Sequence, residues 1–263
     1  MPDRGTKKKV VRVESPEPSG KDTSRGRVFT PTAEAKKRAG TKRLLAILAW
    51  IVAIACEVGA IILLQKPPIN TTWLIVLIAV DLVFVIIGSL LWKKANRLDP
   101  ASEKDKFRFF VQNQLGLIIA IIAFLPLIIL IFTNKDLSGK QKGLVGTIAI
   151  IALVVGGIVG VDFNPPSQEE YAAQTAEVES LTGRNFVYWT KSGTKYHIYS
   201  DCHAINRKVT DQIYEGTVAQ ARELKNITEL CSFCRSRAEK EKALKVPETE
   251  ISEPLEEGEN PQE

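Results

Sequence analysis

Residues 44–64 of the 263-residue chain read LLAILAWIVAIACEVGAIILL, an apolar run of transmembrane length. A hydrocarbon core of about 30 Å requires roughly 20 helical residues, and in lipid only a helix satisfies every backbone amide within one segment. Three further apolar runs of similar length follow at 72–92, 112–132 and 143–161. Because soluble core helices are rarely apolar on all sides, the sequence predicts four membrane-spanning helices.

Basic residues indicate which ends of these helices face the cytoplasm. Cytoplasmic flanks carry an excess of Lys and Arg, and eleven basic residues flank one side of the predicted bundle against four on the other. The N-terminus is therefore expected in the cytoplasm, and four crossings return the C-terminus to that side. We expect a multi-pass protein of the plasma membrane, with the lipid bilayer as a partner. The eleven are Lys36, Lys37, Arg38, Lys42, Arg43, Lys93, Lys94, Arg97, Lys104, Lys106 and Arg108, and the four are Lys66, Lys135, Lys140 and Lys142.

The two ends of the chain carry opposite charge, so the net charge of +5 describes neither. Residues 1–40 are basic and residues 246–263 are acidic, and both contain few large apolar side chains. Such segments bury too little surface to offset the entropy of ordering. We expect disordered tails at both ends.

Residues 163–245 have the composition of a small folded region after the four spans. Ser167 and Glu170 form a capping-box pattern and Gly183 is a natural helix stop, which predicts a linker helix within 163–184, over about 168–182. Residues 185–190 and 194–199 then predict a β-hairpin around a Lys-Ser-Gly turn.

Two further helices are expected after that hairpin. Thr217 and Gln220 form a second capping pair, which predicts a helix to about Lys225, and a last helix begins at Cys231 or Cys234. The predicted fold class is thus an α-helical membrane protein: a four-transmembrane-helix bundle over 41–162, followed by a small α+β module over 185–245.

The module contains the residues of a four-ligand metal site. His197 and Cys202 are spaced His-x4-Cys, and Cys231 and Cys234 follow as a Cys-x-x-Cys knuckle. Zn²⁺ prefers a tetrahedral set of thiolates and imidazole, and a metal can hold together elements that have too little core of their own. The sequence predicts a closed, structural Zn²⁺ site, although ligand softness leaves Fe²⁺ open as well.

Two alternatives concern the same residues. His203, adjacent to Cys202, is a competing ligand, but neighbouring residues point in different directions. A disulfide is disfavoured because cytosolic thiols are kept reduced and three cysteines in the module leave one unpaired.

The ligand region resembles a known family. Tyr196-His197, Asp201-Cys202, Gly216-Thr217 and the run from Leu230 to Arg235 are similar to the small zinc-binding module of Ada-type DNA alkylation-repair response proteins, over about 186–237. In that family all four ligands are cysteines and one accepts a methyl group. Here an imidazole stands at the first position, with one extra residue before Cys202, and it cannot act as that thiolate. The resemblance implies a metal-stabilised fold, without alkyl transfer.

We do not expect an enzyme. A catalytic zinc site keeps one open position and a nearby carboxylate base, whereas four ligands close the coordination sphere; Asp201 would be a base only if His197 were not bound. Nucleic-acid contact is a weaker possibility, because basic residues near the ligands attract phosphates only in a salt-sensitive way. These are Arg207, Lys208, Arg235 and Arg237.

Two acidic residues lie well inside the predicted spans. Glu57 is in the first and Asp81 in the second, at matching depth if the helices are antiparallel. Such residues are costly in lipid and face the bundle interior. They predict either a protonated contact between helices or an ion-coupled transport site. Gly156 and Gly160 in the fourth span predict close helix packing, either within the bundle or between copies, so the oligomeric state stays open.

The predicted function is accordingly an interaction, scaffold or sensing role without catalysis, in which a cytoplasmic zinc module contacts a cytoplasmic protein partner. An ion-coupled transporter and a membrane-tethered nucleic-acid-binding protein are the alternatives.

Overall fold

The structure is a computed structural model of the chain and describes residues 9–13, 29–225 and 227–244. Contacts divide it into two compact units. We call residues 22–172 the helical unit, and residues 1–21 together with 173–263 the mixed unit. The predicted acidic tail, 246–263, lies outside the described residues.

The helical unit contains four long helices. They are α1 (Ala33–Leu64), α2 (Thr71–Leu98), α3 (Lys106–Thr133) and α4 (Gly139–Gly160). All four are long and apolar enough to cross a membrane. The predicted spans fall within them, apart from Val161 at the end of the last.

Each long helix begins at a polar cap whose side chain accepts a hydrogen bond from a backbone N–H three residues later. These caps are Thr32, Asn70, Asp105 and Ser138. At Ser138 the reciprocal bond from Gln141 completes a capping box. These polar caps therefore mark where each of the four long helices begins.

The buried faces of α1 and α4 consist largely of small residues. On α1 the buried positions include Ala39, Ala46, Ala53 and Ala60, which pack chiefly against α2. Many large apolar residues of these helices instead point outward, as Leu44, Ile51, Val83, Ile129 and Ile158 do. Small residues inside and large apolar residues outside are typical of helices packed in lipid.

The mixed unit contains two small sheets and the remaining helices. Its elements are β1 (Lys9–Arg12), β2 (Val187–Thr190), β3 (Lys195–Tyr196), β4 (Gln212–Gly216), α6 (Val218–Lys225), β5 (Glu229–Leu230) and α7 (Ser232–Leu244). One sheet has the order β1-β4-β2, and the other pairs β3 with β5. Trp189, Tyr196 and Ile227 are among the fully buried side chains of the core.

A further helix, α5 (Gln168–Thr182), confirms the predicted linker helix. Its first turn is capped by Ser167, whose Oγ accepts from the backbone N–H of Glu170 at 3.0 Å. It stops at Gly183, where φ is +73°, the left-handed conformation that favours glycine. The Thr217–Gln220 capping pair is likewise formed at α6, with bonds in both directions.

The prediction of disorder over 1–40 is wrong for Lys9–Arg12. This segment forms β1, which pairs in parallel with β4. α1 begins at Ala33, eleven residues before the predicted span, where the basic sequence from Thr32 to Lys42 is typical of a helical lead-in. β1 has little apolar surface, but the exposed edge of β4 supplies hydrogen-bond partners that the local sequence does not reveal. The Thr32 cap and the continuing apolar run extend α1 backward.

The predicted hairpin is also wrong in most of its length. β2 pairs with β4 rather than with the next strand, and only the bridge between Tyr188 and His197 joins the two predicted arms. The second arm shortens to β3, which pairs with β5. After β2 the chain turns so that β3 pairs with β5. This pairing places His197, which follows β3, close to Cys231 and Cys234, which follow β5.

Candidate metal centre

The four predicted ligands lie together in the mixed unit. One ligand atom from each of His197, Cys202, Cys231 and Cys234 falls within 4.8 Å of the others, and all four residues are buried. No disulfide joins the described cysteines. The cluster can therefore hold a metal ion.

The first sheet and the second sheet each position one ligand. His197 is fixed by the bridge to β2, in which its N–H donates to the Tyr188 carbonyl at 2.7 Å and its carbonyl accepts from the Tyr188 N–H at 2.6 Å. Cys231 follows β5, and its N–H donates to the Tyr196 carbonyl at 2.9 Å. The residue before the histidine and the residue before the cysteine are therefore paired in β3–β5.

A turn and a helix position the other two ligands. The carbonyl of Cys202 accepts from the N–H groups of Ile205 and Asn206 at 3.1 and 2.9 Å, which closes a tight turn around the cysteine. Cys234 lies in the first turn of α7 and is 1% exposed. The Cys-x-x-Cys knuckle thus reaches the cluster from a helix start, as expected.

One distance in the cluster matches a tetrahedral ion closely. Nδ1 of His197 lies 3.6 Å from Sγ of Cys234. A tetrahedral Zn²⁺ with bonds of about 2.3 Å to sulfur and about 2.05 Å to nitrogen separates those two atoms by about 3.6 Å. Four buried, soft ligands at this spacing fit Zn²⁺ and equally fit another thiophilic ion.

Burial affects the protonation of two ligands in opposite ways with respect to metal binding: it favours the neutral imidazole that binds a metal, and it disfavours the thiolate. Burial, aided by the nearby His203, lowers the pKa of His197 to about 4, so the imidazole is neutral at pH 7, the form that binds metals. Burial raises the pKa of the Cys234 thiol, while the backbone N–H groups of Tyr199 and Ile198 act in the opposite direction. A bound cation would complete the stabilisation of the thiolate that these amides begin.

Neither His203 nor Asp201 belongs to the cluster. The His203 ring is exposed and packs edge-on against Phe233, with centroids 4.4 Å apart. Both oxygens of Asp201 accept from Nη1 of Arg237, at 3.0 and 3.1 Å. The cluster therefore includes His197 and leaves out His203, the sequence neighbour of Cys202. The carboxylate of Asp201, which was considered as a base, is hydrogen-bonded to an arginine.

Sequence reasoning missed a set of contacts that holds α7 beside the cluster. The guanidinium of Arg237 lies 4.1 Å from the ring centroid of Tyr199, and Tyr199 Oη donates to Glu241 at 2.7 Å. Nε of Arg237 donates to Glu241 at 2.9 Å. The i,i+4 spacing of Arg237 and Glu241 is a signal that could have indicated the pair, whereas the role of Tyr199 depends on the fold.

Several basic residues near the ligands are paired with acids. Arg235 contacts Glu177 at 2.6 Å, Arg237 contacts Asp201 and Glu241, and Lys195 contacts Glu229 at 2.9 Å. These pairs reduce the positive charge offered to a phosphate. Nucleic-acid binding by the module stays a prediction from sequence.

A cleft of about 760 Å³ opens beside the cluster. His197 and Cys231 contribute to its wall, together with the turn at 190–195, the segment 204–212 and the exposed ring of Phe233. A partner that approached this surface would therefore lie close to the ligands.

The two acidic residues predicted in the spans are buried in the helical unit. Glu57 on α1 is 5% exposed and Asp81 on α2 is 1% exposed. Neither carboxylate oxygen of Asp81 has a hydrogen-bond partner. Among the described residues this is the carboxylate most in need of a proton or a cation.

The fourth-span glycines pack inside the helical unit. A Cβ on Gly160 would lie 2.6 Å from backbone atoms of Gly116 and Leu117 on α3, and a Cβ on Gly156 would touch Phe124, Ala120 and Val85 at about 3.5 Å. The small face of α4 is thus used internally, the first of the two predicted alternatives.

No protein-family model, no curated protein and no solved structure matches this chain.

Proposed function

We propose that this chain is an integral membrane protein that carries a structural Zn²⁺ module in the cytoplasm and uses it for interaction or sensing, without catalysis. The observation that carries the proposal is the buried cluster of one imidazole and three thiols within 4.8 Å of one another. His197, Cys202, Cys231 and Cys234 would hold the ion, which supplies folding free energy to a unit with a small core.

The membrane assignment is supported by the surface of the helical unit. Exposed Leu, Ile and Val side chains cover the outward faces of α1 to α4, and contiguous apolar surface of that extent is not typical of a soluble monomer. Lipid is the environment in which such a surface has no cost.

The pairing of β1 with β4 supports an even number of crossings. β1 precedes the first candidate span and β4 follows the last one, yet the two strands are hydrogen-bonded neighbours. They must therefore lie on the same side of the membrane. Four crossings satisfy this condition, and the excess of Lys and Arg on that side favours the cytoplasm for both ends, in the plasma membrane.

A structural role for the ion is favoured over a catalytic one by two features. Four protein ligands leave no open position, and Asp201 is engaged by Arg237. We also propose, from its sequence motifs alone, that the module shares the fold of the Ada-type zinc module; the imidazole at the first position would then not accept a methyl group as a thiolate does. We propose that a cytoplasmic protein partner binds the module at the cleft beside Phe233.

Metal content of the full chain tests the proposal. Purified protein in detergent should contain one Zn²⁺ per chain, and Cys234→Ser should lose it because one of the four ligands is removed. Cys56→Ser is the matched control, since Cys56 lies in α1, outside the cluster. Equal metal content in wild type and Cys234→Ser, or none in wild type, would refute the site.

A second candidate function is ion-coupled transport through Glu57 and Asp81. It is favoured by the unpaired, buried carboxylate of Asp81, because such a group is stabilised by a proton or a cation. Proton or Na⁺ flux into proteoliposomes should then be abolished in a Glu57→Gln, Asp81→Asn double variant and retained in Glu103→Gln, whose side chain is exposed. Absence of flux in the wild-type protein under both gradients would remove this candidate.

A further inference from the structure

The β4 edge is a strand-binding surface whose occupant comes from the other end of the chain. Lys9–Arg12 pairs residue by residue with Gln212–Glu215 in parallel, and the N–H of Val13 donates to the Glu215 carbonyl at 2.9 Å. The two segments are about two hundred residues apart in sequence. Without β1, the outer edge of β4 would present unpaired backbone groups.

β1 is held by few contacts. Val10 is 47% exposed and Val13 is the residue of this segment that packs against the core as a partly buried side chain. Arg12 contacts Glu215 at 3.0 Å, with 74% of its own side chain exposed, and lies 5.5 Å from the Phe186 ring centroid. A short edge strand with so little burial opens at low free-energy cost.

The same sheet is hydrogen-bonded to a metal ligand. Tyr188 connects the sheet to this ligand. Its backbone is hydrogen-bonded to that of His197, and it is the register partner of Glu215 on β4. Glu215 is in turn the register partner of Arg12. A continuous run of backbone pairs therefore extends from His197 through β2 and β4 to β1.

Through this run of backbone pairs, the order of β1 would depend on metal binding at the cluster. If the ion is absent, His197 loses its anchor, the bridge to β2 loosens, and the sheet that receives β1 loses order along the same run of pairs. Ligand binding stabilises every element whose order depends on the bound state. β1, whose side chains are mostly exposed, should respond first.

We propose that the β4 edge is a binding site for the N-terminal segment Lys9–Val13 and that its occupancy is controlled by the metal cluster, so that the module reports its metal state as capture or release of that segment. This rests on the proposed metal site. It adds an interaction surface and names its occupant: an extended segment with β-branched residues and the cation of Arg12 opposite Glu215.

Hydrogen exchange of the full chain in lipid nanodiscs tests this inference, read on the peptide that contains residues 9–13. With Zn²⁺ bound, exchange of this peptide should be slowed, and a chelator should accelerate it by at least about tenfold. Metal content is measured in the same samples.

Chelation that removes the ion without changing the exchange would overturn the inference while leaving the metal site intact, and a strand equally unprotected with and without Zn²⁺ would do the same. A wild-type chain that binds no metal would overturn both.

Two variants test the strand without altering a metal ligand. Arg12→Glu places a negative charge opposite Glu215, and Val13→Pro removes the N–H that donates to its carbonyl. Both should lose protection at residues 9–13 and keep one Zn²⁺ per chain. The charge-reversed pair Arg12→Glu, Glu215→Arg should recover protection relative to Arg12→Glu alone. Full protection in Val13→Pro would contradict the pairing.

Discussion

Nδ1 of His197 lies 3.6 Å from Sγ of Cys234, although the two residues are 37 positions apart. The separation is that of two ligands sharing one tetrahedral ion. Two elements produce this short distance. The β3–β5 pairing brings the chain back beside Tyr196, and the first turn of α7 directs the sulfur of Cys234 toward the cluster.

His197→Ala should lose the bound ion and unfold the mixed unit. Removing one ligand of a structural zinc site forfeits much of the metal's contribution to folding, which is on the order of 10 kcal/mol for zinc modules. Metal content and hydrogen exchange of the peptide that contains Trp189 are the measurements, since Trp189 is fully buried in that core.

His203→Ala is the matched control for that variant. Its ring is exposed and contacts Phe233, so metal content should stay at one per chain. Loss of metal in His203→Ala with retention in His197→Ala would reverse the ligand assignment.

Acid should release the ion. Three thiols and an imidazole must be unprotonated to bind it, and each proton that returns costs roughly tenfold in affinity per pH unit. Burial, which raises the pKa of Cys234, makes its thiolate depend on the cation. Zn²⁺ retention measured by dialysis across pH 7.5 to 4.5 should therefore fall steeply.

The features that sequence reasoning found have signals within a few residues. Apolar runs predict the four long helices, the polar cap at Ser167 marks the start of α5, and the Cys-x-x-Cys spacing identifies half of the cluster. Each of these depends on local chemistry, which the sequence contains in full.

The features that it missed depend on distant partners. β1 has two valines between cations and no periodic pattern of its own; it is a strand because β4 offers an edge. The turn at Gly193 suggests a hairpin, but Tyr196 pairs with Leu230 instead, since the ligands must converge. In both cases a competing partner far along the chain decided the pairing.

Arg43→Lys should destabilise the helical unit almost as much as Arg43→Ala. Nη1 of Arg43 donates to Asp99 Oδ2 at 2.7 Å and Nη2 donates to the Asp99 carbonyl at 2.9 Å, which joins the N-terminal third of α1 to the end of α2. A lysine has no planar fork to make both bonds. We expect a loss of about 1–2 kcal/mol, seen as a lower Tm in detergent.

Arg38→Ala is the control for Arg43. Its guanidinium contacts Glu34 one turn away on the same helix, at an exposed position, and such pairs contribute about 0.5 kcal/mol or less. A Tm for Arg43→Lys equal to that of wild type would show that charge alone, without the two bonds, joins the helices.

Gly160→Ala should destabilise the helical unit through a backbone clash. A methyl group at this position would lie 2.6 Å from the Gly116 carbonyl carbon and from the Leu117 nitrogen, and helix backbones cannot yield as a flexible side chain can. Separating α3 from α4 should cost about 1–3 kcal/mol.

Gly143→Ala on the same helix meets nothing within 4 Å, and it should leave the Tm unchanged or raise it, because alanine favours the helix by up to about 1 kcal/mol. Thermal unfolding followed by tryptophan fluorescence compares the two, and a Gly160→Ala protein as stable as Gly143→Ala would contradict the close approach of the two helices.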